Sequence, residues 1–325
     1  MRAIVVTQPG GPEMMQIGEV PTPEAGPGEL LVRIRAAGVN RADLSQRQGN
    51  YPPPPGASTI MGMEVAGEIA ALGAGVADWR IGERVMALLG GGGYAEYVTV
   101  PAALAMRVPD NVSWEEAGGI PEAFLTAYLA LFPLGDLTAG QAVLVHAGAS
   151  GVGIAGIQLA REAGARVVAT AGTDAKVVAV EALGAVGVNY RTQDFAAVVA
   201  ERTDGKGVNV ILDFIGADHW ERNLAALAMD GRIIVISSLS GGEVPMNLGA
   251  LMRKRAQVIG TTLRNRPLAQ KVALTRALAE FALPRFADGR MKVVVDTIYP
   301  LADAADAHRR MADNANTGKL ILRVD

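Results

Sequence analysis

The stretch Val143-Leu-Val-His-Ala-Gly-Ala-Ser-Gly-Val-Gly153, followed by Ile154-Ala-Gly-Ile-Gln-Leu-Ala-Arg161, decides the fold because it joins a strand, a glycine turn and a helix in one segment. A short apolar run precedes three closely spaced glycines, and apolar residues then recur with helical spacing. Glycines let the backbone approach an anion, and a helix start offers free N–H groups and a positive dipole end. The spacing is a variant of the dinucleotide fingerprint, which is weak evidence by itself. The segment predicts a pyrophosphate-binding loop.

A second predicted strand, Ala165-Arg-Val-Val-Ala-Thr-Ala171, follows the helix and completes a βαβ unit of about 30 residues. NAD-binding proteins usually carry an acidic residue at the end of this strand. Here the strand ends in small and hydroxylated residues, the first carboxylate is the later Asp174, and Lys176 follows it. This pattern favours NADPH over NADH. Lys176 fits equally well as a solvated lysine in the first turn of the next helix.

Composition narrows the classes of protein that the chain can belong to. At 325 residues it is long enough for roughly two domains of ~150 residues. The 30 basic residues balance 33 acidic ones, so we expect no nucleic-acid partner and no acidic-membrane partner. The chain has no cysteine, and its three histidines, His146, His219 and His308, are far apart in sequence. We therefore expect no metal centre.

No segment predicts export or a membrane span. The apolar run after Met1 is too short for a signal-peptide core and leads into a turn at Pro9 and Gly10. Residues 142–160 contain no charged residue over 19 positions, but their polar residues and glycines fit a buried turn better than a lipid-facing helix. We expect a cytoplasmic protein.

The two halves of the chain differ in composition and in the predicted order of strands and helices. Residues 1–121 are rich in proline, glycine and short strand-like runs, whereas strands and helices alternate from residue 122 to about residue 283. Alternation predicts an α/β, doubly wound parallel sheet. The predicted strands of this region lie near residues 142–146, 166–170, 188–190, 208–213, 232–237 and 257–263. Residues 284–325 return to strand character and are predicted to complete the first domain.

Several motifs together carry a family resemblance. They are Ala36-Ala-Gly-Val-Asn-Arg-Ala-Asp43, Tyr51-Pro-Pro-Pro-Pro-Gly56, Gly62-Met-Glu-Val-Ala-Gly67, Gly92-Gly-Tyr-Ala-Glu-Tyr-Val98, Leu125-Thr-Ala-Tyr128 and the glycine turn. With them the chain resembles the medium-chain dehydrogenase/reductase superfamily over essentially its whole length. Within that superfamily it is similar to the zinc-free, zeta-crystallin-like quinone oxidoreductases, and it looks closest to the tumour-suppressor-inducible branch. The resemblance implies a GroES-like, β-rich catalytic domain, a Rossmann NADP-binding domain, and an active cleft between them.

Departures from the zinc-dependent members of that superfamily are also informative. Where those enzymes carry a catalytic cysteine this chain has Asn40, and where they carry Gly-His-Glu it has Gly62-Met63-Glu64. Without a Lewis acid nothing stabilises an alkoxide, so the expected substrate is an acceptor that takes hydride readily, a quinone or an activated alkene. The expected reaction is direct hydride transfer from C4 of the nicotinamide, with catalysis mostly from positioning.

Asn40 and Tyr51 are the predicted catalytic residues, which would orient the acceptor oxygen, because each carries a hydrogen-bond donor in a family-matching loop. Asn40 also fits a turn-forming amide before a helix, and Tyr51 also fits an aromatic lid over the prolines that follow it. Asp43 is predicted to be a structural carboxylate.

The resemblance also implies a set of cofactor-binding residues. Thr126 would lie near the nicotinamide, and the remaining positions would contact the pyrophosphate, the adenosine phosphate or the cleft side of the strand ends. The pyrophosphate residues are Gly148, Ala149, Ser150, Gly151, Val152 and Gly153; the adenosine phosphate residues are Thr173, Lys176 and Tyr190; the others are Gly216, Ser238, Leu263 and Lys319.

Two alternatives to a quinone reductase stay open. One is an enoyl or 2-alkenal reductase of the same fold, in which Tyr51 would protonate carbon. The other is a non-catalytic protein that binds NADPH or RNA. Of these two ligands, the mildly acidic charge disfavours RNA. The late apolar strands of the second domain predict a homodimer, because an unpaired apolar sheet edge would be a liability.

Overall fold

The computed structural model describes all 325 residues. Contacts divide the chain into two units, one of residues 1–125 with 263–325 and the other of residues 126–262. The predicted boundaries, 121/122 and 283/284, differ mainly at the second junction. The difference arises from α9 (Leu268–Ala287), which packs against a strand and a short 3₁₀ turn of the first unit, near residues 102–107.

The first unit is built mainly of β-strands. Its strands are β1 (Arg2–Val6), β2 (Met15–Glu19), β3 (Glu29–Val39), β4 (Glu64–Leu72), β5 (Arg84–Leu88), β6 (Tyr97–Pro101), β7 (Ala105–Arg107), β14 (Val295–Pro300) and β15 (Lys319–Arg323). Its helices are α1 (Arg41–Arg47), α2 (Trp114–Ala117), α9 and α10 (Ala304–Ala312), and α3 (Pro121–Leu129) begins in it. Strands β1 and β2 form a hairpin-like pair, and the other seven form one sheet in the order β14-β15-β3-β4-β5-β7, with β6 also paired to β3.

The C-terminal strand β15 joins the edge strand β14 to the long strand β3 of this sheet. Strand β15 pairs antiparallel with β3, placing Leu320 opposite Val39, while β14 pairs parallel with β15. Alternate residues of β3 point into the core, where Leu30, Val32 and Ile34 pack with Leu320 and Leu322. The C-terminal strands β14 and β15 are therefore an integral part of this unit.

The second unit is a parallel sheet flanked by helices. Its elements are β8 (Ala142–Val145), α4 (Gly151–Glu162), β9 (Arg166–Ala171), α5 (Asp174–Glu181), β10 (Val186–Asn189), α6 (Phe195–Arg202), β11 (Val208–Asp213), α7 (Trp220–Ala226), β12 (Leu227–Val235), α8 (Leu248–Lys254) and β13 (Gln257–Gly260). The strand order is β10-β9-β8-β11-β12-β13, and every pair is parallel. This is the order of doubly wound dinucleotide-binding sheets, whose ligands bind at the carboxyl ends of the strands where the order reverses. The predicted α/β class is confirmed.

Nearly continuous apolar runs explain the buried strands. All four residues of β8 are buried, and β8 lies between β9 and β11. A parallel strand covered on both faces needs such a run rather than an alternating pattern. The helical stretch Trp114–Leu134 is long and apolar enough to cross a membrane, but 72% of its most apolar window is buried inside the protein. Core helices commonly have this composition, so the stretch is weak evidence for a span.

Candidate functional site

The glycine turn between β8 and α4 has the geometry of an anion cradle. Ser150 caps the helix by accepting a 3.1 Å hydrogen bond from the Gly153 amide, and the Gly148 amide donates to the Thr170 carbonyl at 2.8 Å. A Cβ on Gly153 would lie 2.3 Å from the Ala147 carbonyl oxygen, so no other residue fits there without a shift. The turn precedes a 12-residue helix with free amides at its start. The predicted residues 148–153 therefore lie together in a conformation that fits a pyrophosphate.

The ends of β9 and β10 bring Thr173, Lys176 and Tyr190 into one region. Thr173 caps α5 and accepts a hydrogen bond from the Lys176 amide at 3.3 Å. The Tyr190 hydroxyl lies beside Gly172, where a Cβ would be 2.9 Å from it. The Asp174 carboxylate accepts a 2.6 Å hydrogen bond from the Asn189 side chain. This engagement of Asp174 is consistent with a site that lacks the ribose-binding acid of NAD-binding proteins.

Buried polar side chains form a hydrogen-bonded network at the carboxyl ends of β8, β9 and β11. His146 contacts the Thr170 hydroxyl through Nδ1 at 2.9 Å and the Asn223 Oδ1 through Nε2 at 2.6 Å. Because an amide oxygen only accepts, neutral His146 carries its proton on Nε2. Asn223 in turn donates to Asp213 at 3.2 Å. Burial lowers the pKa of His146 to about 4 and raises the pKa of Asp213.

Asp213 links this network to two predicted cofactor positions. Its other carboxylate oxygen accepts hydrogen bonds from the amides of Ile215 and Gly216, at 2.8 and 3.2 Å. Gly216 has a φ of 85°, which favours glycine, and Ser238 lies against it. The network thus fixes the loop after β11, and Gly216 and Ser238 lie together.

In the first unit, Asn40 and Lys319 both contact Glu64. Glu64 was not among the predicted site residues. The Lys319 ammonium contacts Glu64 Oε1 at 2.6 Å, Asn40 Oδ1 at 2.7 Å and the Val39 carbonyl at 3.2 Å. The Asn40 side-chain amide donates to Glu64 Oε1 at 2.9 Å and, more weakly, to the Gly38 carbonyl at 3.4 Å. These contacts occupy both ends of the Asn40 side-chain amide.

Glu64 is also anchored from a third side. Its second oxygen accepts a 2.8 Å hydrogen bond from the Glu122 amide near the start of α3. A Cβ on Gly38 would lie 2.2 Å from Glu64, which explains the glycine before Val39 in β3. We call Asn40, Glu64 and Lys319 the lysine cluster. It contains one ammonium, one carboxylate and one amide, with no histidine or cysteine.

A second buried network adjoins the lysine cluster. The Asp43 carboxylate accepts hydrogen bonds from the Asn40 backbone amide at 2.8 Å and from the Tyr94 hydroxyl at 3.1 Å. His308 contacts Tyr94 through Nε2 and Arg47 through Nδ1, both at 3.1 Å. Because arginine only donates, neutral His308 donates to Tyr94, and Tyr94 donates to Asp43.

The charge state of this network follows from its burial. Burial raises the pKa of Asp43 to about 6 and lowers the pKa of His308 to about 3, with Arg47 adding to the second effect. Asp43 also accepts a longer bond from the Gly62 amide and caps the start of α1 through its Asn40 contact. These contacts agree with the structural role predicted for Asp43.

The predicted catalytic Tyr51 makes no hydrogen bond to Asn40, Glu64 or Lys319. It is half-buried, and Arg264 contacts both its backbone carbonyl and the face of its ring. Thr126 is buried in α3, and Leu263 is buried one residue before Arg264. Asn40 is therefore hydrogen-bonded to Lys319, whereas Tyr51 contacts Arg264.

Sequence reasoning missed Glu64, Arg264, Tyr94 and the Arg47–His308 contact. Two of these residues had a signal, Glu64 by its place in the Gly62-Met-Glu motif and Tyr94 by its place in the Gly92-Gly-Tyr motif. Arg264 lies 213 residues from Tyr51, and His308 lies 214 residues from Tyr94, so no local pattern could have linked them.

Comparisons with known proteins agree with this architecture. Residues 26–110 match the alcohol dehydrogenase GroES-like domain, and residues 151–279 match the zinc-binding dehydrogenase family. The quinone oxidoreductase of Pseudomonas aeruginosa is 32% identical over 96% of this chain and 96% of its own length. The Escherichia coli quinone oxidoreductase complexed with NADPH has a TM-score of 0.89 at 31% identity, covering 99% of this chain and 100% of its own.

A much larger relative is also similar. A phenolphthiocerol/phthiocerol polyketide synthase of Mycobacterium tuberculosis is 34% identical over 98% of this chain, which spans only 14% of that protein. The predicted GroES-like and Rossmann domains are confirmed by these matches. Because the similarity to the quinone oxidoreductases extends over nearly the whole of both chains, this protein belongs to the medium-chain dehydrogenase/reductase superfamily, in its zeta-crystallin-like branch.

Proposed function

We propose that this protein is an NADPH-dependent quinone oxidoreductase that works without a metal ion. One observation carries the proposal: the Lys319 ammonium lies among Glu64 Oε1, Asn40 Oδ1 and the Val39 carbonyl. By the family resemblance, Asn40 stands where zinc-dependent members carry a catalytic cysteine. A cation already neutralises the only carboxylate of the lysine cluster, and its other side chains are poor zinc ligands. A substrate that accepts hydride without a Lewis acid suits such a site.

The turn at residues 148–153 and the region of Thr173, Lys176 and Tyr190 fit a phosphorylated dinucleotide. The amides at the start of α4 would hold the pyrophosphate, and Lys176 would pair with the 2′-phosphate. When bound, NADPH supplies a hydride from C4 of its nicotinamide. We include Thr126, Gly216, Ser238 and Leu263 as further contacts of this coenzyme.

The contacts of Asn40 and Tyr51 support different roles for these two predicted catalytic residues. The Asn40 side-chain amide is already hydrogen-bonded at both ends, so we propose that Asn40 keeps Glu64 and Lys319 in place rather than contacting the acceptor. Lys319 has three oxygen partners and would act through the same cluster. The Tyr51 hydroxyl makes no hydrogen bond to the protein and is left to orient, and to protonate, the acceptor oxygen.

Reduction of an activated alkene is the second candidate. The observation that favours it is the same free hydroxyl of Tyr51, which could donate a proton to carbon after hydride delivery. Both candidates are oxidoreductases with a small-molecule acceptor, so substrate preference decides between them. The predicted cytoplasmic location and lack of a nucleic-acid partner are part of the proposal.

The test is coenzyme oxidation by purified, chelator-treated protein. NADPH and NADH would each be offered with ortho-quinones, para-quinones, 2-alkenals and enoyl thioesters. Turnover of quinones with NADPH, unchanged by chelation, supports the proposal. A preference for alkenals or thioesters moves the assignment to alkene reduction, and no turnover with any acceptor favours a binding role.

We also propose a homodimer built on the outer edge of the second sheet. Strand β13 pairs only with β12, so its other edge has unpaired backbone groups. Val258 on this strand and Leu248 and Met252 on the adjacent α8 expose large apolar side chains. A second copy of the chain would cover this edge and this apolar surface together.

A further inference from the structure

Arg264 is a buried cation with no carboxylate in its hydrogen-bond shell. The residue is only 4% exposed. Its Nε and Nη2 atoms donate to the Gly90 carbonyl at 2.9 and 2.6 Å, Nη2 donates to Gln46 Oε1 at 2.7 Å, and Nη1 donates to the Tyr51 carbonyl at 3.3 Å. All three guanidinium nitrogens are therefore engaged by neutral oxygens. Burying a charge without an opposite charge in direct contact is costly, which points to a purpose other than stability.

The same guanidinium lies over the ring of Tyr51. Its central carbon is 5.2 Å from the ring centroid, within the range of cation–π attraction. Arg264 thus holds Tyr51 by its backbone carbonyl and by its ring face, while the phenol oxygen stays free of hydrogen bonds to the protein. The prolines Pro52 to Pro55 follow directly and stiffen the loop that Arg264 holds.

We infer that Arg264 is the positioning residue that prepares Tyr51 to act as the proton donor to the acceptor oxygen. This inference rests on the proposed function and deepens it. Hydride addition, with the coenzyme oxidised, turns a quinone or an unsaturated carbonyl compound into an anion with negative charge on oxygen. The Tyr51 Oη–H bond then breaks, a new O–H bond forms on the acceptor, and the electron pair stays on Tyr51 as phenolate. Solvent returns the proton to Tyr51.

Arg264 stabilises the phenolate that this step creates. Burial raises the pKa of Tyr51, and the Arg264 charge opposes that rise while Glu122 adds to it. Asp43 and Lys271 are the charged groups that act on the guanidinium itself. The preferred acceptor is therefore a molecule whose carbonyl oxygen becomes an oxyanion during reduction.

The test separates an electrostatic role from a purely structural one. Arg264→Gln removes the charge, Arg264→Lys keeps it, and Tyr51→Phe removes the hydroxyl. Arg276→Gln is the matched control, because Arg276 is exposed on α9. The first readout needs neither coenzyme nor acceptor: the tyrosinate absorbance of each protein is titrated, and the Tyr51 contribution is obtained by subtracting Tyr51→Phe.

Arg264→Gln should raise the Tyr51 pKa by about one pH unit, whereas Arg264→Lys and Arg276→Gln should shift it little. In turnover, Arg264→Gln should lower kcat by up to about 100-fold with a smaller effect on KM. The double variant with Tyr51→Phe should be no slower than Tyr51→Phe alone, because Arg264 acts through Tyr51. Thermal unfolding of each variant checks that it folds. If Arg264→Gln does not fold, Arg264→Lys still allows the Tyr51 titration and the turnover to be compared with the wild type.

An unchanged Tyr51 titration in folded Arg264→Gln, or additive losses in the double variant, would overturn the inference. These results leave the proposed function intact as long as the wild-type protein reduces acceptors. A wild-type protein that reduces no acceptor overturns the proposed function and the proton-donor role with it.

Discussion

The Lys319 ammonium and the Glu64 carboxylate are 2.6 Å apart in the interior of the first unit, with side-chain exposures of 5% and 0%. The two residues come from β15 and β4, which are 255 positions apart in sequence. Asn40 joins them by one hydrogen bond to each partner. A cation is therefore a built-in part of this polar cluster.

Breaking this ion pair should destabilise the protein strongly. Lys319→Met leaves a buried carboxylate without its cation and should lower the free energy of unfolding by about 3–5 kcal/mol. The double variant Lys319→Met/Glu64→Gln should recover part of that loss, because no buried charge then remains. Urea unfolding measures both. As a control, Arg255→Gln breaks the exposed pair with Asp230, both 63% exposed, and should leave the urea unfolding midpoint nearly unchanged.

Adding a methyl group at Gly153 should abolish tight coenzyme binding. The new Cβ would lie 2.3 Å from the Ala147 carbonyl and 2.8 Å from Gly148, so the turn must move. We expect NADPH affinity to fall at least about tenfold, measured by titration of coenzyme fluorescence. Gly249→Ala is the control, because a Cβ there meets only ordinary contacts on α8. Equal affinity of Gly153→Ala and wild type would contradict the assignment of this turn.

Lys176→Ala should separate the two nicotinamide coenzymes. A charge-assisted bond to the 2′-phosphate contributes about 1.5–3 kcal/mol, so NADPH should bind roughly 10- to 100-fold more weakly. NADH lacks that phosphate, and its binding should hardly change. Lys206→Ala, at an exposed position, is the control for loss of a positive charge. Equal losses for both coenzymes would rule out the phosphate role.

Mild acid should destabilise the fold. Burial lowers the pKa of His146 to about 4 and that of His308 to about 3, below the ordinary value of 6.5. Because the unfolded chain binds these protons first, stability present above pH ~6.5 is lost as the pH falls toward the folded-state values, by about 2 kcal/mol per histidine at pH ~5.

Asp43 opposes this trend. Burial raises its pKa from 3.8 to about 6, so protonation of the folded protein restores about 1.4 kcal/mol by pH ~5. The net expectation for these three groups is a loss of about 2–3 kcal/mol between pH ~7 and ~5. His219, whose pKa burial also lowers to about 4, adds to the loss, and Asp213, whose pKa burial raises, opposes it. Urea unfolding at the two pH values tests it, and an equal or higher stability at the lower pH would show that the histidines are not buried neutral.

The sheet edge at β13 should set the oligomeric state. Light scattering should give twice the chain mass of 33.8 kDa at micromolar concentration. Val258→Asp places a charge on the unpaired strand and should shift the protein toward monomer. Val178→Asp makes the same change at an exposed valine of α5, 64% accessible, and should leave the mass unchanged. A monomeric wild type would overturn the dimer.

Local patterns predicted the elements of the second unit well because they are short-range signals. The turn at Gly148–Gly153 is specified by residues that are neighbours in sequence, and the buried parallel strands are continuous apolar runs. Boundaries were less accurate: β13 ends at Gly260 rather than Leu263, and β12 begins at Leu227 rather than Arg232. Pairing with the neighbouring strand, not the apolar run, decides where a strand ends.

The sequence by itself determined the dinucleotide-binding pattern, the lack of cysteine ligands and the family, because short local motifs and the composition carry them and no long-range contact is needed to recognise them. Only the tertiary structure decided which side chains meet. In the folded chain Asn40 is hydrogen-bonded to Glu64 and Lys319, and Arg264 contacts Tyr51. The physical reason is that buried polar groups must find partners wherever the chain brings them, and these partners lie on strands and loops separated by tens to hundreds of residues.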